Sequence, residues 1–403
     1  MNPLLASLQP YPFERLRQLF SGVTPPANRS PISLGIGEPK HATPEFIKTA
    51  LIQSLDTALS GYPATLGELR MREACAQWLQ RRYAVNVNPA TQILPVNGSR
   101  EALFALAQAV LDPSQPGARV ISPNPFYQIY EGATLLGGVQ PYYVANAPDT
   151  DFSANWDAVP DAIWAQTQLV FVCSPGNPTG KVMPLAEWKK LFELSEKYGF
   201  VIASDECYSE IYFRDEPPLG GLEAASQLGY TEFKRLISFT SLSKRSNVPG
   251  LRSGFVAGDA AIIKDFLLYR TYHGCAMSGV VQAASVAAWN DEAHVIENRN
   301  LYRTKFAQVT PVLAEVMDVQ LPDASFYLWA GVPAAWNNSD TDFARELYAA
   351  ENVTVLPGSY IGRVANGRNP GKGRVRMALV AETEECLEAA HRIARFIRTG
   401  RPA

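Results

Sequence analysis

A lysine stands at the end of an apolar run in the segment SLSKRSNVPGLRSG, residues 241–254. Lys244 has hydroxyl residues before it and Arg252 eight positions after it. The preceding residues, LISFT, are apolar and β-branched and predict a buried strand. Because burying an ammonium group is costly, the lysine is either a surface residue beyond the sheet or a group kept for its reactivity. A lysine amine can form a Schiff base with a carbonyl cofactor.

Other polar residues follow neighbouring runs that also predict strands. These runs are QILPV (92–96), ARVIS (118–122), QLVFVC (168–173), FVIAS (200–204), RLISFT (235–240) and GFVAG (254–258). Helical patterns lie between several of them, which is typical of βα units that build a largely parallel sheet. Ligands bind outside the carboxyl ends of such strands, so the polar clusters are expected to meet at one edge.

The composition is that of a globular protein and argues against several kinds of partner. The chain has 403 residues, of which 47% are hydrophobic and 19% charged, and this balance is typical of a globular protein. Its net charge of −3 argues against an electrostatic nucleic-acid binder. The N-terminus carries no pattern of a secretory signal, and no apolar run approaches the ~18 residues that a membrane span needs. We therefore expect a cytoplasmic protein with no membrane and no nucleic-acid partner.

Several motifs of other chemistries fail on inspection. GNPTGKV is one residue short of a P-loop and has valine where Ser or Thr should bind Mg²⁺, and GRNPGKGR also fails the spacing. LGIGEP lacks the third glycine of a dinucleotide fingerprint. The five cysteines form no CxxC pair, and the four histidines are widely spaced without HExxH. No metal is expected.

The polar residues at the strand ends match the needs of one cofactor. A pyridine ring acts as an electron sink when an acidic residue keeps its nitrogen protonated. A phosphate group suits a helix N-terminus together with an arginine and hydroxyl donors. A lysine, an aspartate, a tyrosine, an asparagine, an arginine and a Gly-Ser turn that opens a helix are all present. Together they indicate pyridoxal phosphate.

Nearly the whole chain resembles the class I/II aminotransferases of the aspartate aminotransferase fold. The matching pieces are LGIGEP (34–39), YPATLGELRMREA (62–74), NGSREAL (97–103), PNPFYQIY (123–130), SPGNPTGK (174–181), SDECYSEIYF (204–213), SLSKRSNVPGLRSG (241–254) and RVRM (374–377). Singly these motifs are weak, but jointly and in the family's order they are specific. The resemblance implies an α/β protein of fold-type I, with a mostly parallel seven-stranded sheet flanked by helices and a smaller α+β domain.

The resemblance also implies roles around the pyridine ring. Lys244 becomes the Schiff-base lysine and the proton shuttle between the substrate Cα and the cofactor. Asp205 pairs with the ring nitrogen. Tyr208 and Asn177 hydrogen-bond the phenolic oxygen, and Tyr127 stacks on the ring.

The remaining implied contacts concern the phosphate and the substrate. The phosphate ligands are the backbone N–H groups of Ser99 and Arg100 and the side chains of Ser241 and Arg252. Tyr62 resembles a tyrosine that reaches the neighbouring subunit's phosphate, which implies a homodimer. Arg376 clamps the substrate α-carboxylate and Gly37 lines that pocket, while Asn177 also contacts the substrate. Phe126 stands where relatives often carry glycine.

Each assignment has a structural alternative. Asp205 could be a helix N-cap, and Ser99 could cap the helix that follows it. Asn177 before a proline could be only a turn former. Arg376 could be an edge-strand charge, Lys244 a surface lysine, and the tyrosines core residues.

A change of pattern after about residue 290 indicates domain organisation. A long helix (DEAHVIENRNLYRTKFAQVTPVLAEVM), short strands around SFYLWAGV and GRVRMALV, and a closing helix (TEECLEAAHRIARFIRTG) occupy this part. We predict an N-terminal arm and part of the small domain over 1–45, a large cofactor-binding domain over 46–290, and a small C-terminal domain over 291–403.

Within the family, residues 244–259 and the N-terminus look like bacterial N-succinyldiaminopimelate aminotransferases of lysine and diaminopimelate biosynthesis. The expected substrates are small amino acids and 2-oxo acids. As a hypothesis, the basic loop 362–374, with Arg363, Arg368, Lys372 and Arg374, faces the distal carboxylates of such a substrate; the alternative is a solvated basic loop. Residues 270–279 are a second candidate lining region, shared across a dimer.

Two other functions use the same residues. One is an aminotransferase for another amino acid, and the other is a pyridoxal-phosphate-dependent C–S lyase of the same family, which only product analysis separates. A non-catalytic regulator that binds the cofactor is disfavoured, because the family motifs begin by about residue 34 and because Lys244 and Arg376 are both present.

Overall fold

The computed structural model describes residues 1–401. Its strands are β1 Ile32–Ser33, β2 Ile93–Val96, β3 Arg119–Asn124, β4 Gln140–Ala145, β5 Thr167–Cys173, β6 Val201–Asp205, β7 Leu236–Ser241, β8 Gly254–Gly258, β9 Tyr327–Gly331, β10 Val353–Thr354, β11 Leu356–Pro357 and β12 Arg374–Ala378. Its α-helices are α1 Pro12–Leu19, α2 Glu45–Gln53, α3 Leu55–Ala58, α4 Leu69–Tyr83, α5 Ser99–Val110, α6 Ile129–Leu136, α7 Asp161–Trp164, α8 Leu185–Tyr198, α9 Gly221–Gln227, α10 Leu242–Arg245, α11 Ala260–His273, α12 Gly279–Asn290, α13 Ala293–Ala314, α14 Asp340–Glu351 and α15 Thr383–Thr399.

The largest sheet has seven strands in the order β2-β8-β7-β6-β5-β3-β4. β8 is antiparallel to both of its neighbours, and every other pair is parallel. The predicted seven-stranded, mostly parallel α/β sheet is therefore confirmed. Six of its strands lie on the six apolar runs named above. The seventh strand, β4, lies at the edge of the sheet and is partly exposed, and no apolar run in the sequence predicted it.

Helices cover both faces of this sheet, which is why its central strands are continuously apolar. On one face, three tryptophans from α4, α8 and α12 are at most 1% exposed: Trp78, Trp188 and Trp289. On the other face, Leu103 of α5 and Phe266 of α11 are fully buried. Truncating any one of the three tryptophans to alanine should cost ~3–5 kcal/mol of stability through the cavity left behind.

The C-terminal third forms a second core around the antiparallel sheet β11-β12-β9. The long helix α13, the strands β9 and β12 and the closing helix α15 are all present where the sequence predicts them. β1 pairs in parallel with β10 and so joins the N-terminal segment to this part. Leu16 of α1 packs with Trp329, Leu356 and Ile361 on the same side. The exact domain boundaries stay a prediction.

Between residues 1 and 401, no helix is both long and apolar enough to cross a membrane.

Candidate active site

A cavity of about 550 Å³ opens where the carboxyl edge of the large sheet meets the N-terminal segment and the sheet β11-β12-β9. Every predicted site residue except Tyr62 lines it. These residues are Gly37, Ser99, Arg100, Tyr127, Asn177, Asp205, Tyr208, Ser241, Lys244, Arg252 and Arg376. The fold therefore brings together residues that are far apart in the chain.

Lys244 lies on α10, a single helical turn that begins directly after β7. Ser241 caps this turn, because its hydroxyl accepts a hydrogen bond from the backbone N–H of Ser243 at 3.1 Å. The ammonium Nζ of Lys244 donates to the carbonyl oxygen of Gly37 at 3.0 Å. Burial, reinforced by the charges of Arg376 and Arg252, lowers the pKa of Lys244 to about 8. Roughly a tenth of the amine is therefore neutral and nucleophilic at pH 7, far more than for an ordinary lysine.

Asp205 ends β6 and is only 4% exposed. Its Oδ2 accepts a hydrogen bond from the hydroxyl of Tyr130 at 2.7 Å, and its Oδ1 accepts the backbone N–H of Cys207 at 3.3 Å. No helix begins here, since residues 207–210 form turns, so the N-cap alternative is wrong.

Burial raises the pKa of Asp205, while these hydrogen bonds and the charge of Lys244 oppose the rise. A protonated ring nitrogen facing this carboxylate would favour its ionised form, as the cofactor requires.

The part of the cavity next to the start of α5 has the geometry of a phosphate site. Gly98 has φ = +89°, and a Cβ built on it would lie 2.3 Å from Nη2 of Arg252. A side chain at position 98 would thus occupy the space beside that guanidinium. Ser99 opens α5, a twelve-residue helix whose first N–H groups lack partners within the helix. A helix N-terminus, a guanidinium and serine hydroxyls together fit a phosphate group.

Arg376 has an unusual environment for a charged residue. It is 5% exposed and lies on β12, the central strand of its sheet, so the edge-strand alternative is wrong. Its Nη1 donates to Oδ1 of Asn177 and its Nη2 to the carbonyl of Gly35, each at 3.0 Å. Its Nε is buried without a partner. Across residues 1–401 it makes no salt bridge, so a carboxylate from a bound molecule would supply the missing countercharge.

Two tyrosines meet beside Arg376. The hydroxyls of Tyr208 and Tyr327 are 3.1 Å apart, and the guanidinium carbon of Arg376 lies 4.3 Å from the centre of the Tyr327 ring. Gly37 is required here, because a Cβ built on it would lie 2.0 Å from the Tyr327 hydroxyl oxygen. These contacts fix the pocket that Gly37 was predicted to line.

Tyr127 and Arg100 form another part of the cavity wall. The guanidinium Nε of Arg100 donates to the Tyr127 hydroxyl at 2.6 Å, and its Nη2 donates to the hydroxyl of Tyr11 at 3.2 Å. Phe126 is 1% exposed and stacks on Tyr143 with ring centres 5.3 Å apart, so it faces the core rather than the cavity.

Among the residues at the site that sequence reasoning missed, five carry polar groups that bear on its chemistry. Tyr130 bonds Asp205, and the other four line the cavity: Tyr11, Glu38, Cys207 and Tyr327. Tyr130 and Cys207 lie inside motifs already recognised, so their positions carried a signal. Glu38 lies in the recognised segment LGIGEP as well. The resemblance of the N-terminus assigned no role to Tyr11, and Tyr327 comes from a segment with no motif, so only the tertiary fold places these two at the cavity. Burial raises the pKa of Cys207 well above its usual range, which keeps the thiol protonated.

Two predicted lining regions do not reach the cavity. In the basic loop, Arg363 pairs with Glu131 at 2.6 Å and Arg374 with Asp318 at 3.1 Å. Arg368 and Lys372 are exposed. The hypothesis that this loop faces the substrate is therefore wrong for the cavity of this chain, because other elements supply acidic partners that sequence does not reveal.

Residues 270–279 do not line the cavity of their own chain, and their predicted role across a dimer stays a prediction. The buried guanidinium of Arg270 bonds the carboxylate of Glu101. Ligand atoms of Glu101, His273 and Cys275 lie within 4.8 Å of one another, but a cation there would face that guanidinium. Tyr62 is fully exposed, and its predicted role in a neighbouring subunit stays a prediction.

The fold and the cavity define a pyridoxal-phosphate-dependent enzyme. The chain belongs to the class I and II aminotransferases, whose family model matches residues 29–393. It is 31% identical over 394 residues to an LL-diaminopimelate aminotransferase of Nitratidesulfovibrio vulgaris, covering 97% of each chain.

Solved structures agree with this assignment. An aminotransferase of Neisseria meningitidis shares 53% identity over 100% of both chains, with a TM-score of 0.94. A probable N-succinyldiaminopimelate aminotransferase of Thermus thermophilus shares 26% identity over 96% of this chain and 100% of the other, with a TM-score of 0.83. The predicted class and cofactor are confirmed: this protein is a pyridoxal-phosphate-dependent aminotransferase.

Proposed function

We propose that this aminotransferase converts N-succinyl-LL-2,6-diaminopimelate and 2-oxoglutarate to N-succinyl-2-amino-6-oxopimelate and glutamate, in lysine and diaminopimelate biosynthesis. Three arginines line the cavity, and Arg252 is assigned to the phosphate. The observation that carries the proposal is the other two guanidinium groups, with Arg376 buried and Arg100 exposed at the mouth. The deep guanidinium would bind the α-carboxylate at the reacting end. The outer one would attract the distal carboxylates that the succinyl form carries.

The names of two relatives support the same carbon skeleton. The Nitratidesulfovibrio vulgaris protein is named for LL-diaminopimelate and the Thermus thermophilus protein for its N-succinyl form. Both act at one end of a long substrate that carries a second charged end. The cavity volume lies within the range of ~300–1,000 Å³ that small-molecule sites occupy, and this space must hold the cofactor as well as the reacting end of the substrate.

We assign the chemistry to Lys244 and Asp205. Bound pyridoxal phosphate supplies an electron sink for the pair of electrons left when the substrate Cα proton leaves. Asp205 would stabilise a proton on the ring nitrogen of the bound cofactor. Nζ of Lys244 would take up the substrate Cα proton and hold it for return, and such acid–base steps contribute ~10²–10⁴-fold. Tyr208 and Asn177 would hydrogen-bond the ring oxygen of the bound cofactor, and Tyr127 would stack on its ring.

The phosphate and the second subunit complete the proposed site. The N-terminus of α5, with Ser99 and the backbone of Arg100, would bind the phosphate together with Ser241 and Arg252. Tyr62 would reach the phosphate of a second copy of the chain, so the active enzyme is proposed to be a homodimer.

Unsubstituted LL-diaminopimelate is a second candidate substrate. It carries a distal ammonium group in place of the succinyl amide. Glu38 is exposed at the same cavity and could accept that ammonium. The relative from Nitratidesulfovibrio vulgaris is named for this substrate.

Absorption spectroscopy of the purified holoenzyme tests the proposal. The band of the lysine-bound cofactor should convert to that of the amine form when N-succinyl-LL-diaminopimelate or glutamate is added, and poorly with other amino acids. Conversion by LL-diaminopimelate alone would support the second candidate. Release of ammonia and a thiol from a sulfur amino acid, without an oxo acid partner, would instead indicate a C–S lyase.

A further inference from the structure

A line of polar side chains joins a buried lysine to the backbone of Lys244. Lys305 of α13 is 0% exposed, and its Nζ lies 3.0 Å from Nε2 of His41. The other ring nitrogen of His41, Nδ1, lies 2.8 Å from Oδ1 of Asn298. Nδ2 of Asn298 in turn lies 3.3 Å from the carbonyl oxygen of Lys244. None of these three residues lines the cavity.

The chemistry of the groups allows only one direction for these hydrogen bonds. An ammonium can only donate, so Nε2 of His41 accepts and its Nδ1 carries the proton. That proton goes to Oδ1 of Asn298, which leaves Nδ2 to donate to the carbonyl of Lys244. Asn247 donates to the same Oδ1 at 2.9 Å, in agreement with this amide orientation. Every donor in the line therefore points toward Lys244.

The line connects three separate parts of the chain. His41 lies between β1 and α2, Asn298 and Lys305 lie on α13, and Lys244 lies at the end of the one-turn helix α10. Carbonyl groups at a helix end have no partner within the helix, so Asn298 supplies one. Thr43 adds a second link between the first and third parts, because its hydroxyl donates to the carbonyl of Asn247 at 3.0 Å.

Burying Lys305 lowers the stability of the fold, which a purely structural role would not explain. Between residues 1 and 401 its ammonium makes no salt bridge, although Glu382, Glu385 and Lys40 lie close enough to influence it electrostatically. A buried ammonium without an ion pair costs stability that an apolar residue at the same position would avoid. Its hydrogen bond fixes the tautomer of His41, and that tautomer fixes the orientation of Asn298.

We propose that His41, Asn298 and Lys305 are positioning residues, which hold the main chain at Lys244 so that its Nζ reaches both the substrate Cα and the cofactor. This inference rests on the proposed role of Lys244. It concerns how Lys244 is held and not whether Lys244 is the catalytic lysine. Each of the two proposals can therefore be wrong while the other is right.

The decisive variant is Asn298→Asp in the holoenzyme. It keeps the size of the side chain but replaces the donor facing the Lys244 carbonyl with an oxygen. We expect kcat to fall ~10-fold with KM values within about twofold, because the substrate contacts are unchanged. The pH at which the band of the lysine-bound cofactor titrates should also shift.

A matched control lies on the same helix. Thr310 is 8% exposed and its hydroxyl has no partner in the described structure, so Thr310→Val tests a buried change on α13 that does not reach Lys244. It should alter the melting temperature at most. If Asn298→Asp changes only the melting temperature as well, the proposal is wrong.

Histidine variants provide a second test if Asn298→Asp does not fold. His41→Asn keeps a donor toward Asn298 but loses the acceptor for Lys305, whereas His41→Leu loses both. We expect the loss of kcat to be larger for leucine than for asparagine. Equal kcat values for both variants and wild type would overturn the proposal. A wild-type enzyme without a lysine-bound cofactor band would instead overturn the role of Lys244 itself.

Discussion

The inner and outer ends of the cavity are built differently. At the inner end, Asp205, Ser241 and Arg376 are at most 5% exposed and come from strands or directly follow them. At the outer end, Ile36 is 50% exposed, and Glu38 and Arg100 are exposed as well. The inner groups are held by several hydrogen bonds each, while Glu38 makes none in residues 1–401.

This difference separates chemistry from substrate choice. Groups that must hold a cofactor to within fractions of an ångström stand on rigid elements, which lose little freedom when the cofactor binds. Ile36 and Glu38, at the outer end, lie on a loop, where substrate-selecting groups tolerate change. Arg100 lies in the first turn of α5, but its guanidinium is exposed. Changes at the inner end should therefore abolish or strongly reduce turnover. Changes at the outer end should alter KM for some substrates more than for others.

The largest effect is expected at Lys244. Lys244→Ala removes both the cofactor attachment and the proton shuttle, so kcat should fall by at least ~10⁴-fold in a steady-state assay. Lys181→Ala is the control, because this lysine pairs with Asp151 outside the cavity and should leave kcat unchanged. Comparable losses in both variants would remove the distinction.

The next effect is expected at Asp205. Asp205→Asn keeps the shape but cannot stabilise a proton on the ring nitrogen, so kcat should fall ~10²–10³-fold. Tyr130→Phe removes only one hydrogen bond to the carboxylate and should cost less than ~10-fold. A tyrosine variant as impaired as the aspartate variant would show that the hydrogen bond, rather than the charge, is essential.

The pH dependence of cofactor attachment tests the environment of Lys244. Its pKa is lowered from 10.5 to about 8, and only the neutral amine attacks the cofactor carbonyl. The rate of attachment to the apoenzyme should rise ~tenfold per pH unit below pH 8 and level off above it. A simple lysine peptide, measured alongside, should keep rising toward pH 10.5. Parallel profiles would contradict the account.

A smaller effect is expected at the phosphate end. Gly98→Ala would push the Arg252 guanidinium aside, and since that group is the flexible end of a side chain, the fold should survive. Cofactor affinity should weaken ~10-fold by equilibrium titration. Gly199→Ala is the matched control: Gly199 has φ = +82° but no atom within 4 Å of its built Cβ. It should lose stability without losing cofactor affinity.

The smallest effects are expected at the outer end. Arg100→Gln keeps the backbone N–H for the phosphate but loses the outer guanidinium, so KM for the N-succinyl substrate should rise ~3–10-fold more than KM for glutamate. Glu38→Gln should raise KM selectively for LL-diaminopimelate if that is the substrate. If KM changes equally for all substrates in both variants, the outer end does not determine substrate specificity.

The inner end was predictable from the sequence because its residues follow apolar runs directly. β6 ends at Asp205, and Lys244 follows β7 within one helical turn, so local order alone places both at one sheet edge. The combination of a lysine, an aspartate and a Gly-Ser helix start then indicated the cofactor.

Contacts between distant segments were not predictable. Tyr11 and Tyr327 reach the cavity only because separate elements fold around it, and the line from Lys305 to Lys244 spans 264 residues between His41 and Lys305. The basic loop misled for the same reason, since Glu131 and Asp318 pair with its arginines from other elements. Charge density in a sequence does not reveal its partners.

Chemical trapping tests the central claim most directly. Borohydride reduction of the holoenzyme fixes the cofactor on the lysine that holds it, and peptide mass spectrometry then identifies that lysine. The account predicts one modified peptide, containing Lys244, and none in Lys244→Ala. Stoichiometric modification of another lysine, or of none in the wild-type enzyme, would contradict it.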